Sequence, residues 1–102
     1  MIRHIVLFKL KQFSSESDRK EATENVLATF RALIGQIPQI RQFRVETGLP
    51  LGLASCDVII DSTFDTLDDL KAYQSHPAHL EAVERNKQWT DYKISGDYEF
   101  LI

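Results

Sequence analysis

The chain has 102 residues and a formal net charge of −3, and 43% of its residues are hydrophobic and 26% charged. This composition is that of an ordinary globular protein, and the length fits one domain, residues 1–102. The basic residues are dispersed, which excludes the basic patch that nucleic acid needs and the cluster that anchors a chain to an anionic membrane. No segment approaches the roughly 20 apolar residues of a membrane span, no signal peptide is recognisable, and one cysteine allows no intramolecular disulfide, so we expect a cytoplasmic protein.

The first predicted element is a strand over residues 2–10. Its even positions carry the fuller apolar set, with His4 among them, and its odd positions place Ile5 and Leu7 between charged residues. Because side chains alternate between the two faces of a strand, both faces are apolar in the middle. The pattern predicts a central strand that is covered on both sides.

A helix is predicted next, ending near Gln36. Ser15 and Asp18 have the spacing of a helix-capping pair, and Gly35 with Pro38 marks the end. The apolar residues of this segment recur at helical spacing and predict one buried stripe, made of Ala22, Val26, Phe30, Leu33 and Ile37.

Two strands follow, over residues 40–47 and 55–64, joined by a loop that contains Gly48, Pro50 and Gly52. The first strand alternates apolar and polar residues, so one of its faces is expected to be exposed to solvent. Cys56 lies on the apolar side of the second, where we expect a small, unreactive core residue.

The second helical region is predicted in two pieces. Thr66 and Asp69 form another capping pair, and a short helix carries Leu67, Leu70 and Tyr73. Pro77 interrupts it, since proline suits the first turn of a helix and breaks its interior. The second piece carries Leu80 and Val83, and a last strand is predicted over residues 92–102.

The order β-α-β-β-α-β predicts an α+β protein of the ferredoxin-like class, with a four-stranded antiparallel sheet and both helices on one face. The other face then has no cover within one chain, although Ile5, Leu7 and Ile59 point to it. Exposing three large apolar side chains costs several kcal/mol at about 1.5–3 kcal/mol each, so we expect a homodimer with stacked sheets.

Three segments of the chain resemble one known family. They are the opening strand Met1-Ile-Arg-His-Ile-Val-Leu-Phe-Lys, the stretch 64–79 with its Tyr-x-x-His-Pro-x-His pattern, and Gly96-Asp-Tyr-Glu near the end. Together they are similar to the stress-responsive A/B barrel (Dabb) family. The resemblance spans nearly the whole chain and implies a dimeric α/β barrel with a cavity between the sheet and the helices of each subunit.

The resemblance implies less about activity. Many members are known only as stress-associated or uncharacterised proteins, and some plant members are polyketide cyclases that close a ring by aldol condensation without metal or cofactor. By motif, the catalytic residues of such a cyclase correspond to His4, Tyr73 and His79. Phe30 stands where the cyclases carry a second tyrosine, so that phenol is absent here.

Each of these residues also has a structural interpretation. His4 and Tyr73 are equally explained as core rings with a hydrogen-bonded polar atom, and His79 as a surface or capping group. His76, at the proline break, is better explained as a capping residue. Although the spacing of His76 and His79 would suit two metal ligands, nothing completes the set, and no phosphate-binding glycine loop exists, so we expect neither metal nor cofactor.

The leading hypothesis is a protein that binds a small apolar or aromatic carbonyl ligand and acts, if it is an enzyme, by His/Tyr acid–base chemistry. We expect the pocket to be lined by Val6, Phe8, Val26, Phe30, Val83 and Trp89. Two alternatives remain open at this point: a cofactor-free monooxygenase of the dimeric α/β barrel type, and a non-catalytic stress-associated protein with a filled core.

Overall fold

The computed structural model describes all 102 residues and confirms the predicted β-α-β-β-α-β order, with the second helical region in two pieces. The elements are β1 (Ile2–Leu10), α1 (Glu16–Arg31), β2 (Gln42–Thr47), β3 (Val58–Phe64), α2 (Leu67–Ser75), α3 (Pro77–Asn86) and β4 (Thr90–Glu99). The strands form one antiparallel sheet in the order β2-β3-β1-β4, so the first strand is central, as its two apolar faces predict.

One face of the sheet packs against the helices and forms the core. The even residues of β1 are buried and the odd ones are half-buried, which matches the predicted alternation. In register with Val6 lie Ile60 and Ser95, and Ile60 in turn pairs with Val45, so these residues share the helix-facing side. The core also takes in the apolar stripes of the helices: Val26, Phe30, Leu33, Ile37, Leu70, Tyr73 and Ala82.

Local signals fix where the helices begin. The backbone N–H of Asp18 donates to the Ser15 hydroxyl, and that of Asp69 donates to the Thr66 hydroxyl, each over 3.1 Å. His76 separates α2 from α3 in an extended conformation, and its Nδ1 accepts the Ala78 N–H at 3.0 Å. These caps satisfy backbone donors that the first turn of a helix leaves without partners.

Several predicted helices and strands extend beyond the boundaries in the structure. α1 ends at Arg31, because residues 32–36 form turns in which Gly35 adopts a φ of 86°, a conformation that favours glycine. β3 begins at Val58, since Asp57 is held by side-chain contacts with Lys9 and Arg19 and by the Leu10 N–H. The exposed side chains of Leu67 and Leu80 show that α2 and α3 bury narrower stripes than their sequences predict.

Cys56 is not the core residue that the sequence predicts. It is half-buried and precedes β3, where its backbone closely approaches Gly48. A Cβ atom at position 48 would lie 2.3 Å from the Cys56 carbonyl oxygen, so only glycine fits there. The prediction extended the strand too far and therefore gave Cys56 a place on its apolar face.

The second face of the sheet has no cover within the chain. Ile5, Leu7 and Ile59 are half-buried there, and the β4 residue opposite Leu7 is Ile94, whose side chain is 62% exposed. Tyr92 and Tyr98 extend the same surface, because they pair with Lys9 and Arg3 of β1. We name the surface of Ile5, Leu7, Ile59 and Ile94 the open sheet face.

Candidate functional site

A cavity of about 290 Å³ lies between the sheet and the helices. Its wall combines residues of the central strand and α1 with residues of α2, α3 and β4. β4, which contributes to this wall, is an edge strand whose residues 91–99 are all exposed. The volume is close to the lower end of the range of about 300–1,000 Å³ that small-molecule sites occupy.

Three aromatic rings meet at one end of this cavity: His4 from β1, Tyr73 from α2 and His79 from α3. The centroids of the Tyr73 and His79 rings are 4.4 Å apart, and those of His4 and Tyr73 are 6.3 Å apart in an edge-on arrangement. The proline break produces this convergence, because α3 starts at Pro77 and places His79 in its first turn, beside the end of α2.

Tyr73 is the most enclosed of the three. Its side chain is 1% exposed and packs against Phe64 and Phe43, with ring centroids 5.0 and 6.0 Å away. The hydrogen bonds of the cluster run from His4 to Asp97 and from His79 to Gln74, and none involves the Tyr73 hydroxyl. Burial raises the pKa of this phenol, so it keeps its proton and remains a donor.

His79 is half-buried and is held in one tautomer. Its Nδ1 lies 2.9 Å from the carbonyl oxygen of Gln74, an acceptor, so Nδ1 carries the proton and donates. Burial lowers the His79 pKa below its ordinary value of 6.5; the hydrogen bond to Gln74 opposes this, and the positive charges of Lys93, His4 and His76 reinforce it. The ring is therefore neutral at pH 7, with a free lone pair on Nε2.

His4 is paired with a carboxylate that the sequence analysis did not single out. The His4 side chain is buried on the helix-facing side of β1, and its Nδ1 contacts Asp97 Oδ1 on the neighbouring strand β4. A carboxylate on one nitrogen orients the imidazole and leaves the other nitrogen, Nε2, for a second partner. Asp97 belongs to the Gly96-Asp-Tyr-Glu segment, but only the strand register places it opposite His4.

Four of the six residues expected to line the pocket do so: Val6, Phe8, Phe30 and Val83. Two of those predictions were wrong. Val26 is completely buried in the core, one turn of α1 away from Phe30, and Trp89 lies in a separate depression with Phe13 and residues of α1. The apolar stripe of α1 identifies the buried face of the helix, but it does not show which turn of that face meets the cavity.

Val26→Ala is expected to lower the free energy of unfolding by about 2 kcal/mol, because it removes two fully buried methyl groups. Val83→Ala is the matched control, since it makes the same change on the half-buried cavity wall and should cost less. Urea unfolding of both variants measures the difference. A larger loss for Val83→Ala would contradict the assignment of Val26 to the core and of Val83 to the wall.

The low pKa of His79 makes stability depend on pH. Between its folded-state pKa and 6.5, the unfolded chain binds a proton that the folded chain does not, so the free energy of unfolding falls as the pH falls. The contribution of His79 is complete above 6.5. We expect the wild type to lose more stability than His79→Gln between about pH 7.5 and about pH 5, as measured by urea denaturation. Equal losses would show that the His79 pKa is not lowered.

No group of three or more His, Cys, Asp or Glu side chains is arranged to hold a metal ion. None of the three helices combines the length and the apolar character that crossing a membrane requires.

Comparison with known proteins decides the family. Residues 2–100 match the stress responsive A/B barrel domain, abbreviated Dabb. The chain belongs to the Dabb family. This confirms the resemblance that the opening strand, the His-Pro segment and the last strand indicate. The match covers all the strands and helices of this Dabb domain, including every residue of the three-ring cluster.

Three similar proteins place this Dabb domain among its relatives. An uncharacterised protein of Streptomyces coelicolor is 38% identical over 100 residues, covering 98% of this chain and all of that one. A dimeric protein of unknown function with a ferredoxin-like fold from Bacteroides fragilis is 30% identical, with a TM-score of 0.84 over 97% of this chain and 95% of that one. A hydroxynitrile lyase from Passiflora edulis is 20% identical, with a TM-score of 0.75 over 95% and 90%, which shows a shared fold.

Proposed function

We propose that this Dabb domain binds a small, largely apolar carbonyl compound in the cavity and catalyses proton transfer on it without a cofactor, as in an enolisation or an aldol cyclisation. The observation that carries the proposal is the contact of Tyr73 with His79. A buried phenol with no hydrogen bond inside the chain lies against an imidazole whose Nδ1 is already committed to Gln74. The Tyr73 hydroxyl is thus free to donate, and His79 Nε2 is free to accept, to a ligand at the same end of the cavity.

His79 is the base in this proposal. Because Nδ1 donates to the Gln74 carbonyl, the lone pair on Nε2 is the free basic position of the ring. The lowered pKa keeps Nε2 unprotonated at neutral pH, and the ring can take a proton from the carbon next to a ligand carbonyl. The proton returns from Nε2 to carbon when the enolate is quenched, so the cycle needs no other reactant.

Tyr73 stabilises the oxygen of the enolate. The Tyr73 hydroxyl stays protonated and donates to that oxygen, where negative charge develops as the carbon loses its proton. His4 borders the same region; because its Nδ1 donates to Asp97, Nε2 of the neutral ring carries a lone pair and can accept a hydrogen bond from the ligand. The apolar part of the ligand lies against Phe8 and Phe30, whose rings stack with centroids 5.3 Å apart.

Two findings support an enzyme over a filled scaffold. The cavity is open and large enough for a small ligand, whereas a purely structural core would have no such space. The Passiflora edulis protein shows that a chain with this fold can be a lyase. That protein is too distant for its substrate to be assigned to this chain, and the support for catalysis comes from the rings of His4, Tyr73 and His79.

The proposal is tested by following hydrogen–deuterium exchange at the methyl group of acetophenone in D₂O by proton NMR. Acetophenone combines an apolar ring with a carbonyl that has exchangeable protons on the neighbouring carbon. We expect the protein to accelerate the exchange above the rate in buffer alone. An unchanged rate at saturating protein would overturn the base role of His79. Oxygen uptake with a quinol, measured in parallel, would instead support the monooxygenase alternative.

The proposal includes a second copy of the chain on the open sheet face. Ile94 is mostly exposed there, and Leu7 with Ile59 is only half-buried, so stacking two sheets removes apolar surface from water. The similar protein from Bacteroides fragilis is described as dimeric. Two ferredoxin-like sheets stacked in this way make the dimeric α/β barrel that the sequence analysis expects.

A further inference from the structure

We propose that His76 makes the first turn of α3 sensitive to protons: a protonated His76 ring cannot cap this helix, and the turn that carries His79 then loosens. The inference rests on the proposed function for its consequence, because His79 is the base there, and it names a way in which that site is regulated. It concerns the junction between α2 and α3, where two histidine rings make hydrogen bonds to the backbone.

The cap of α3 is a ring nitrogen, whereas the caps of α1 and α2 are hydroxyl oxygens. His76 precedes α3 in an extended conformation, and the Ala78 N–H donates to its Nδ1 at 3.0 Å. In α1 and α2 a first-turn N–H donates instead to the hydroxyl of Ser15 or Thr66, which does not titrate near neutral pH. α3 is therefore the one helix of the three whose cap can be removed by a proton.

Protonation of His76 acts against the cap in two ways. Nδ1 accepts through its lone pair, and an imidazolium donates from both nitrogens and accepts at neither, so the Ala78 N–H loses its partner. The added charge also lies at the N-terminus of a helix, where the helix dipole disfavours a cation. Histidine side chains ordinarily gain a proton as the pH falls from about 8 to about 5, so mild acidification is sufficient to test this change.

The second ring of the junction does not respond to a proton in this way. His79 lies in the first turn of α3, and its Nδ1 donates to the carbonyl oxygen of Gln74, near the end of α2. This hydrogen bond survives protonation, since Nδ1 donates in the neutral ring and in the imidazolium alike. The loss of the His76 cap is thus what loosens the turn, and it disturbs the contact of His79 with Tyr73, whose ring centroids are 4.4 Å apart.

The charged groups around the junction do not offset a proton on His76. They are His4 of β1, Lys71 of α2, His79 and Glu81 of α3, and Lys93 and Asp97 of β4. α1 contributes only uncharged residues to its groove with α3, and the helix-facing residues of β3 are uncharged. Asp97 contacts His4, Glu81 contacts Arg85, and no ion pair of the chain includes His76. The proton that removes the cap therefore brings no ion pair in its place.

The test compares amide hydrogen exchange in the first turns of α3 and α2 of the wild-type protein, without ligand. Protection factors, which correct for the intrinsic effect of pH on exchange, are measured at about pH 7.5 and about pH 5. Protection at Ala78 and Leu80 should fall about fivefold, the loss expected when a helix cap is removed. Asp69 and Leu70 are the internal control, since both donate to oxygens of Thr66, and their protection should not change. Equal protection of α3 at the two pH values would overturn the inference.

Two substitutions assign the effect to one ring. His76→Asn supplies an amide oxygen, which is a strong helix cap and does not titrate, so protection at Ala78 should no longer depend on pH. His79→Gln is the matched control, because it removes the other ring and keeps a donor to Gln74, and the loss of protection should persist in it. A pH dependence that persists in His76→Asn and disappears in His79→Gln would assign the effect to His79 and overturn the inference.

A second measurement on the wild type decides the matter if His76→Asn does not fold. The ¹⁵N chemical shifts of the imidazole nitrogens report the protonation of each ring separately. The amide shift of Ala78 should change with the same midpoint as the His76 ring, since the two are hydrogen-bonded. An Ala78 shift that follows the His79 ring instead would contradict the role of His76.

These measurements need neither ligand nor turnover, so they separate the two proposals. A cap that is lost on acidification, in a protein that does not accelerate the deuteration of acetophenone, would support the inference and contradict the proposed chemistry. Accelerated deuteration with a cap that does not respond to pH would do the opposite.

Discussion

His79→Gln should lower the protein-catalysed exchange of acetophenone protons by about a hundredfold or more, because general base catalysis contributes about 10²–10⁴-fold. Glutamine keeps a polar group of similar reach that can still donate to the Gln74 carbonyl, but it has no lone pair able to take a proton at neutral pH. The rate measured against pH adds a second readout. In the wild type the rate should rise with pH through the lowered pKa of His79 and then level off, and this step should be absent in the variant.

Tyr73→Phe tests whether the Tyr73 hydroxyl stabilises the enolate oxygen. It removes a hydroxyl that makes no hydrogen bond within the chain, so the fold should persist while the rate falls by about a hundredfold, the typical cost of losing one oxyanion donor. Tyr98→Phe is the matched control, since it deletes the same group on the opposite face of the sheet and should leave the rate unchanged. A Tyr73→Phe protein with the wild-type rate would contradict the proposed mechanism.

Leu7→Glu is expected to dissociate or unfold the protein. Leu7 is at the centre of the open sheet face, paired with Ile59 on one side and Ile94 on the other, so a glutamate there would be buried without a partner in the proposed dimer. An unpaired buried charge costs about 3–5 kcal/mol. Sedimentation at micromolar concentration should give twice 11.7 kDa for the wild type and lose that species in the variant.

Leu80→Glu is the control for this change, because Leu80 is 55% exposed on α3 and lies away from the open sheet face. It should sediment as the wild type does. If Leu7→Glu fails to fold at all, the unfolding midpoint of the wild type decides the matter, since the midpoint of a dimer rises with protein concentration. A wild type that sediments as a monomer with a concentration-independent midpoint would refute the dimer.

The fold was predictable because β1 and α1 carry strong periodic patterns. The even positions of β1 from Ile2 to Leu10 are all buried, and the stripe from Ala22 to Ile37 faces the core. The capping residues Ser15 and Thr66 and the break at Pro77 identify helix starts through local chemistry, which needs no knowledge of the tertiary fold. The resemblance to the Dabb family supplied the three rings.

The rest of the site could not be read from the sequence because the apolar residues of β4 alternate onto the face that points away from the cavity. Its helix-facing residues, Lys93, Ser95 and Asp97, are polar, whereas its other face carries Tyr92, Ile94 and Tyr98. By composition alone, the apolar set would be assigned to the core. Only pairing with β1 shows the reverse, and it places Asp97 opposite His4 and Lys93 opposite Phe8.

The central position of β1 also determines when the site is assembled during folding. His4 and Asp97, which contact each other, are 93 residues apart in the chain, and β1 borders both β3 and β4. Closing so long a loop costs chain entropy before the contacts between the strands can offset that cost, and sheets with distant pairings fold slowly. The helices and the β2–β3 hairpin have short-range contacts that can form early. The pairing of β1 with β4 completes the cavity, so a chain that lacks the last strand would have neither the partner of His4 nor the wall that carries Lys93.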